Sequence, residues 1–352
     1  MKLNILSGVG GKLPACLLLD TGEQQFLIDV GEGPEPGVFP EIPHLDNLAG
    51  IFITHDHMDH VDGLRHFKLD APVYVTKAVA PSVPDHMEKI IIQEKGSFNC
   101  KGLKVTTGRS GHSLGSIWFH FSLGGSLFYS GDFCLESDLF PFDIPPQADL
   151  ALMDASYGCH KPSRGDLLEK VVELSSSGQC LLPVPPSGRA LEISLGLCSM
   201  GFTDWSMDQD CWQAWDNLCQ VHSGNEAMAE KIKLMEARKR PFNDHAPLLI
   251  ANAPCGTFGK SKEIISTWLE SGLKNRHIIY SGYLSRESRE QIDKGVAQLN
   301  LWNVHPRVSD LSWLISRLSC KNWVPLFTEQ GYNASWHECI DVQPSFSREW
   351  FL

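Results

Sequence analysis

Short apolar runs, broken by glycine or by acidic residues, set the rhythm of the first part of the chain. Residues 3–6, 16–19 and 25–28 are such runs, divided by Gly10-Gly11 and by Asp20-Thr21-Gly22. Their spacing predicts that the protein opens as a β-meander. Ile51-Phe52-Ile53 is β-branched and aromatic and predicts a further buried strand. Polar positions begin abruptly where that strand would leave its sheet, because Thr54-His55-Asp56-His57-Met58-Asp59-His60 follows at once. In extended chain successive side chains alternate faces, so His55 and His57 are expected to point the same way. Asp59 and His60 follow and can turn toward a second ion. Imidazole mixed with carboxylate suits Zn²⁺, with Mn²⁺ or Fe²⁺ as candidates where carboxylates share the coordination. The plain alternative is a solvated polar turn.

Further along, residues 61–69 predict a helix and 73–75 a strand, whereas 77–99 show no clear period. A strand at 103–105 leads to the small-residue loop Gly111-His112-Ser113. Residues 113–131 contain no Asp, Glu, Lys or Arg, but Gly124-Gly125 divides them, so they predict a β-hairpin and not a membrane span. Asp29, Asp132 and Asp154 each follow an apolar strand-like run, where a buried carboxylate destabilises unless it is hydrogen-bonded. Three later runs, 181–184, 248–251 and 278–280, each end in a glycine-containing turn with a helix behind it. That is a place where backbone NH groups receive phosphate oxygens. Arg189, Lys260 and Arg286 stand in those turns and helices. Gly259-Lys260-Ser261 is not a Walker A loop, since the first glycine of that motif would fall on Pro254. Trp205, Trp212 and Trp215 are assigned to packing, with base stacking as the other reading, and 225–239 to a charged helix. Residues 311–318 predict an amphipathic helix after His305-Pro306.

Composition narrows the function classes. With 352 residues, 42% hydrophobic and 20% charged, the chain has ample core for one large or two ordinary domains. A net charge of −12 argues against a generally basic nucleic-acid coat. It is compatible with a nuclease, because bound dications reverse the local potential. The 11 cysteines form no Cys-x-x-Cys pair, which points away from a zinc ribbon or disulfide framework and toward a reducing cytoplasm, or a nucleus in a eukaryote. No sustained apolar core of a signal peptide opens the sequence, and Leu13-Pro14-Ala15-Cys16 is rejected as a lipoprotein site.

The pattern His-x-His-x-Asp-His after an apolar strand resembles the metallo-β-lactamase superfamily, with His55, His57, Asp59 and His60 matching one by one. The stretch 181–192, with Gly188-Arg189, resembles the opening of the β-CASP domain that marks a nuclease branch. The resemblance implies an α/β fold, an αββα sandwich interrupted by a smaller α/β domain, with boundaries expected at 1–178, 179–295 and 296–352. It implies two divalent ions, Zn²⁺ first and Mn²⁺ second. His55, His57 and His112 would hold one, Asp59 and His60 the other, and Asp132 would bridge both. Asp29 stands where the superfamily has an Asp-x-Gly and would orient a ligand from behind. His305 resembles the histidine of the branch's second added motif and Asp154 its acidic partner, a pair implied to act as general acid, with Asp59 and Asp132 also catalytic. Residues 323–329 resemble a strand that supplies a final metal histidine in RNA-cleaving members, yet Phe327 stands in that place, which tilts the expected substrate toward DNA. His337 is the alternative donor from a rearranged tail. The expected function is a metal-dependent nuclease of DNA or RNA with no membrane partner, in which Arg189, Lys260 and Arg286 contact backbone phosphates. A hydrolase of a small ester, lactone or phosphodiester, and a non-catalytic subunit of a processing complex, are the alternatives.

Overall fold

The computed structural model describes residues 1–33, 35, 37–186, 188–221, 226–282, 284–328, 336 and 338–352. It divides into two compact units, Met1–Lys161 with Val304–Leu352, and Pro162–Asn303.

The opening meander forms as expected. Lys2–Ser7, Cys16–Asp20 and Gln25–Val30 pair antiparallel. Leu48–Phe52, Val73–Thr76 and Lys89–Ile92 then extend the same sheet in parallel, and Glu349–Phe351 closes its other edge. The second sheet runs in the order Asn322–Leu326, Leu150–Asp154, Gly125–Tyr129, Ile117–Leu123, Leu103–Arg109, Gly96–Cys100. Gly124 turns the expected hairpin with φ 76°. The weakly patterned 77–99 segment supplies an edge strand to each sheet.

Alternation along the strands explains the layers. Phe26 and Ile28 face a core shared with Leu19, Phe52, Phe119 and Phe121 of both sheets. Leu27, between them in sequence, faces outward with Ile51 and Val73, where Val61, Leu64 and Val79 cover it. On the far side, Leu311, Leu314, Ile315 and Leu318 of the helix Val308–Leu318 pack on Phe128, Met153 and Trp323. The result is an αββα sandwich. Every one of those layer residues is buried, and each fully buried Leu, Ile or Phe stabilises by about 1.5–3 kcal/mol before conformational entropy is charged against it.

Two local expectations are corrected around the histidine run. The strand ends at Phe52, so His55 and His57 lie on irregular chain. The helix expected over 61–69 begins earlier and is short, Met58–Val61, followed by a 3₁₀ turn, Asp62–Arg65. The reason is steric. Gly63 lies against the carbonyls of Val30 and Gly31, each 2.7 Å from where a Cβ would be. Gly31 lies against the Asp59 carbonyl. The end of the third strand thus clamps the turn that carries Asp59 and His60.

The second unit is a parallel sheet in the order Trp205–Met207, Leu248–Ala251, Gln179–Pro183, Arg276–Tyr280, Ala297–Leu299. Helix Gly259–Glu270 buries Ile264, Ile265 and Trp268 against Leu249, Ile278 and Tyr280. This unit takes in helix Arg164–Ser177, entered through a capping box between Ser163 and Asp166, in addition to the expected 179–295. Trp212 and Trp215 are buried, with Trp215 Nε1 donating to Glu236 at 2.9 Å, so both pack and neither is a base-stacking platform. Among the described residues no helix is long and apolar enough to cross a membrane.

Gly31→Ala tests the clamp. A Cβ would overlap the Asp59 carbonyl, so the substitution is expected to destabilise by on the order of 1–3 kcal/mol, read as a lowered urea midpoint with unchanged slope. An unchanged midpoint would remove the clamp from the account.

Candidate metal centre

Asp29 is the buried anchor of the centre. It is inaccessible to solvent and has φ 51°, a conformation that aspartate tolerates better than most residues. Thr54 donates to it twice, from its backbone N to Oδ1 and from Oγ1 to Oδ2, both at 2.8 Å. Tyr129 Oη and His60 Nδ1 both reach Oδ2 at 2.7 Å. Four contacts on one carboxylate fix the first residue of the histidine run, the rotamer of His60 and the strand that leads to Asp132. Asp29 therefore has the position expected of a residue that orients a ligand from behind.

Among the described residues two sets of side chains bring ligand atoms within 4.8 Å of one another, His55 with His57, His112 and Asp132, and Asp132 with Asp154 and His305. In the first, His112 donates its Nδ1 proton to the Val304 carbonyl at 2.7 Å, which leaves Nε2 facing His57 Nδ1 at 3.1 Å. His55 Nδ1 meets Thr54 Oγ1 at 3.0 Å, which turns Nε2 toward Asp132. Asp132 Oδ2 lies 3.6 Å from both His55 Nε2 and His112 Nε2. His55 Nε2 is buried and makes no hydrogen bond. A buried polar atom left unpaired destabilises, whereas imidazole nitrogens and a carboxylate converging on one point are a cation's donor set. These four residues fit a divalent ion of the zinc type. Burial drives the His55 and His112 imidazoles well below their ordinary 6.5, for His112 against the opposing pull of Asp132, so both stay neutral as ligands must.

In the second set, His305 Nδ1 pairs with Asp154 Oδ2 at 2.7 Å and lies 3.6 Å from Asp132 Oδ2. Asp154 is held by the backbone N of Ser156 at 2.9 Å. Asp154 and His305 come from positions 151 residues apart, and the chain beyond His305 returns beside Asp154 through the parallel pairing of Leu150–Asp154 with Asn322–Leu326.

Asp59 and His60 join neither set. His60 Nε2 and Asp132 Oδ1 lie 3.2 Å apart without hydrogen-bond alignment. Burial alone would lower the His60 pKa, but Asp132 and Asp29 raise it well above 6.5. The Asp59 carboxylate faces Lys12 at 3.8 Å, and Lys12 Nζ donates to Ser156 Oγ at 3.5 Å. Burial opposes the Lys12 charge, yet Asp132, Asp59 and Asp154 together raise its pKa. Phe327, with φ 62°, sets its ring edge-to-face against His60 at 5.3 Å between centroids. Lys12 was missed from sequence because nothing in a glycine-rich loop far upstream marks it. Thr54 and Tyr129 gave no signal either. Glu329 and His337 lie outside the described residues.

The three basic candidates belong to the second unit and are members of neither set. The Arg189 guanidinium lies against Gly282 at the ends of the parallel strands. Lys260 pairs with Glu263 at 2.7 Å and Arg286 with Glu290 at 3.2 Å, exposed pairs one turn apart that contribute about 0.3–0.5 kcal/mol.

Because burial keeps His55 and His112 neutral, protons compete with the ion only on strong acidification. Zinc-loaded protein titrated with acid is expected to retain its ion through pH 6.5 and to release it only below that value, read with a chromogenic zinc indicator. Release that begins above pH 6.5 contradicts this donor set.

Known proteins were compared with this chain. The family model of the Beta-lactamase superfamily domain matches residues 18–175. Cleavage and polyadenylation specificity factor 73 of Drosophila melanogaster is 23% identical over 340 aligned residues, covering 76% of this chain and 48% of that protein. Transcription termination factor FttA of Methanothermobacter thermautotrophicus is 28% identical over 248 residues, covering 56% and 39%. Integrator complex subunit 11 of Gallus gallus is 25% identical over 338 residues, covering 76% and 56%. The chain spans about half the length of the curated relatives it matches. A solved structure of a protein of unknown function from Enterococcus faecalis V583 has the same fold over 100% of this chain and 99% of its own, at 13% identity and a TM-score of 0.65. The matched segment contains all the residues of both ligand sets except His305, and over residues 18–175 the chain is similar to the Beta-lactamase superfamily domain.

Proposed function

We propose that this protein is a metal-dependent phosphodiesterase that cleaves nucleic acid. The observation that carries the reading is the position of Asp132, whose carboxylate faces the three-histidine set and the Asp154–His305 pair together. A divalent ion in the first set, zinc by its donors and manganese as second choice, would acidify water from about 15.7 toward about 7 and offset phosphoryl charge. The protein's own groups do the rest. Asp132 lies 3.6 Å from His305 Nδ1 and the His112 ring 5.2 Å from the His305 ring, so an ion held by the first set would stand beside His305. The Asp154 carboxylate holds the His305 Nδ1 proton, so Nε2 is the atom that passes a proton to the leaving oxygen, a general-acid role typically contributing about 10²–10⁴ in rate. Of the two ions expected from the sequence, the first has a complete donor set, whereas the second would depend on Asp59, His60 and Asp132. Arg189, Lys260 and Arg286 remain the proposed phosphate contacts.

RNA is the first substrate reading. It is supported by the names of the relatives, a cleavage and polyadenylation factor, a transcription termination factor and, at 24% identity, an RNase J-like protein of Methanocaldococcus jannaschii. DNA is the second, favoured by Phe327 in place of a final histidine.

Zinc- or manganese-loaded protein given end-labelled single- and double-stranded RNA and DNA is expected to cut RNA fastest. Asp132→Ala should lose both cleavage and the ion. Cleavage that persists in Asp132→Ala, or metal-loaded protein that cuts no polymer, rejects the nuclease reading. His305→Ala should keep the ion and slow hydrolysis of an alkyl phosphodiester by about 10²-fold or more, while a nitrophenyl ester, which needs little protonation, is spared. Equal losses on the two esters would remove the general-acid role.

A further inference from the structure

We propose that the second cation of this centre is the ammonium of Lys12, and that the protein binds one divalent ion per chain where its family resemblance implied two. The inference rests on the metal-centre reading above and concerns what stands beside that ion.

Among the described residues the donors of the second position are too few. A closed zinc site uses four ligands, and an open one keeps three from the protein. Asp132 Oδ1 and His60 Nε2 are present, 3.2 Å apart, with His60 oriented through Nδ1 by Asp29 at 2.7 Å, and they make only two donors. Asp59 faces Lys12 and is absent from both converging sets. The remaining direction is closed by the Phe327 ring, which offers no donor. Phe327 is fixed there, since its backbone N donates to the Gly8 carbonyl at 2.7 Å and its ring lies 3.1 Å from the Cβ position of Gly8.

Lys12 fills the electrostatic vacancy. Its ammonium is 3.8 Å from Asp59, 3.5 Å from Ser156 Oγ and 6.0 Å from the centre of the Phe327 ring, a distance at which ring and cation attract. Its loop is tied to the site at both ends. The Ala15 N donates to the Asp59 carbonyl at 2.8 Å, and Gly8 holds Phe327. Four carboxylates, Asp29, Asp59, Asp132 and Asp154, crowd the centre. His60 pairs with Asp29 at 2.7 Å and His305 with Asp154 at 2.7 Å, whereas Asp59 faces Lys12 and Asp132 faces the three-histidine set. A dication beside Asp59 would meet the ammonium at short range, and like charges that close are strongly unfavourable in a partly dehydrated site. The Lys12 side chain is 41% exposed, and its remaining N–H donors could meet a phosphate oxygen as a second metal ion would.

The test counts ions in full-length protein. Wild type, Phe327→His, and the double variant Lys12→Ala/Phe327→His are loaded with excess zinc, desalted over a weak chelating resin and analysed by elemental mass spectrometry, with zinc-edge anomalous maps locating the ions. The expected counts are one, one and two. Phe327→His restores a donor but leaves the ammonium, and histidine tolerates the positive φ. Two ions in the wild type, or two in Phe327→His alone, overturn the proposal while leaving the metal-centre reading intact. One ion in the double variant also overturns it, the retained first ion showing that the site is folded. No ion in the wild type rejects the metal-centre reading and this proposal together. Lys12→Met/Phe327→His, which keeps the length of the side chain, is expected to match the alanine double variant, and a count of one there counts against the charge argument.

Discussion

Four donors converge on the Asp29 carboxylate in a place that water does not reach. Leaving a charge of that kind without its partners would destabilise by about 3–5 kcal/mol, so the surrounding backbone has little freedom. Thr54 must begin the histidine run at this point, His60 must present its ring edge-on, and Tyr129 must end its strand within reach. Each of these consequences lies on a different strand or turn of the first unit. The anchor is therefore a folding constraint before it is a functional one, and the histidine geometry follows from it.

The same logic explains why the centre has two unlike halves. On one side, the His55 and His112 imidazoles converge with Asp132 Oδ2 at 3.6 Å, a donor set of the kind that binds a cation. On the other side, His60, Lys12 and the Phe327 ring supply charge and bulk from the protein itself. Asp132 belongs to both halves. Its pKa is driven well below the carboxylate range despite burial, chiefly by His60 and His305, so it remains an anion throughout the useful pH range.

All of the centre belongs to the first unit, while the second is a parallel sheet whose strand ends carry Gly188-Arg189, Gly256 and Gly282. In open α/β sheets ligands meet the carboxyl ends of strands, near the point where strand order reverses. Gln179–Pro183 is that point, with Leu248–Ala251 on one side and Arg276–Tyr280 on the other. The two units are thus separate scaffolds, each with its own core.

The sequence by itself determined the elements whose signals are local. Apolar runs ended by glycine or acid gave the meander, the hairpin at Gly124 and the strands before Asp29, Asp132 and Asp154, because period-two burial and turn chemistry act over a few residues. It also marked His55 and His57 as paired donors beyond a strand, whereas His112 entered only through the superfamily resemblance. The tertiary structure decided what depends on chain segments far apart. The helix start at Met58 is set by Gly31 lying against the Asp59 backbone and Gly63 against those of Val30 and Gly31, contacts no window of residues contains. The weak 77–99 segment is strand only because it pairs at the edges of two sheets. That Asp154 meets His305, and that Lys12 rather than a histidine stands beside Asp59, follow from loops folded back across long separations. Local chemistry is written in local sequence, whereas the pairing of distant charges depends on where the fold brings their backbones together.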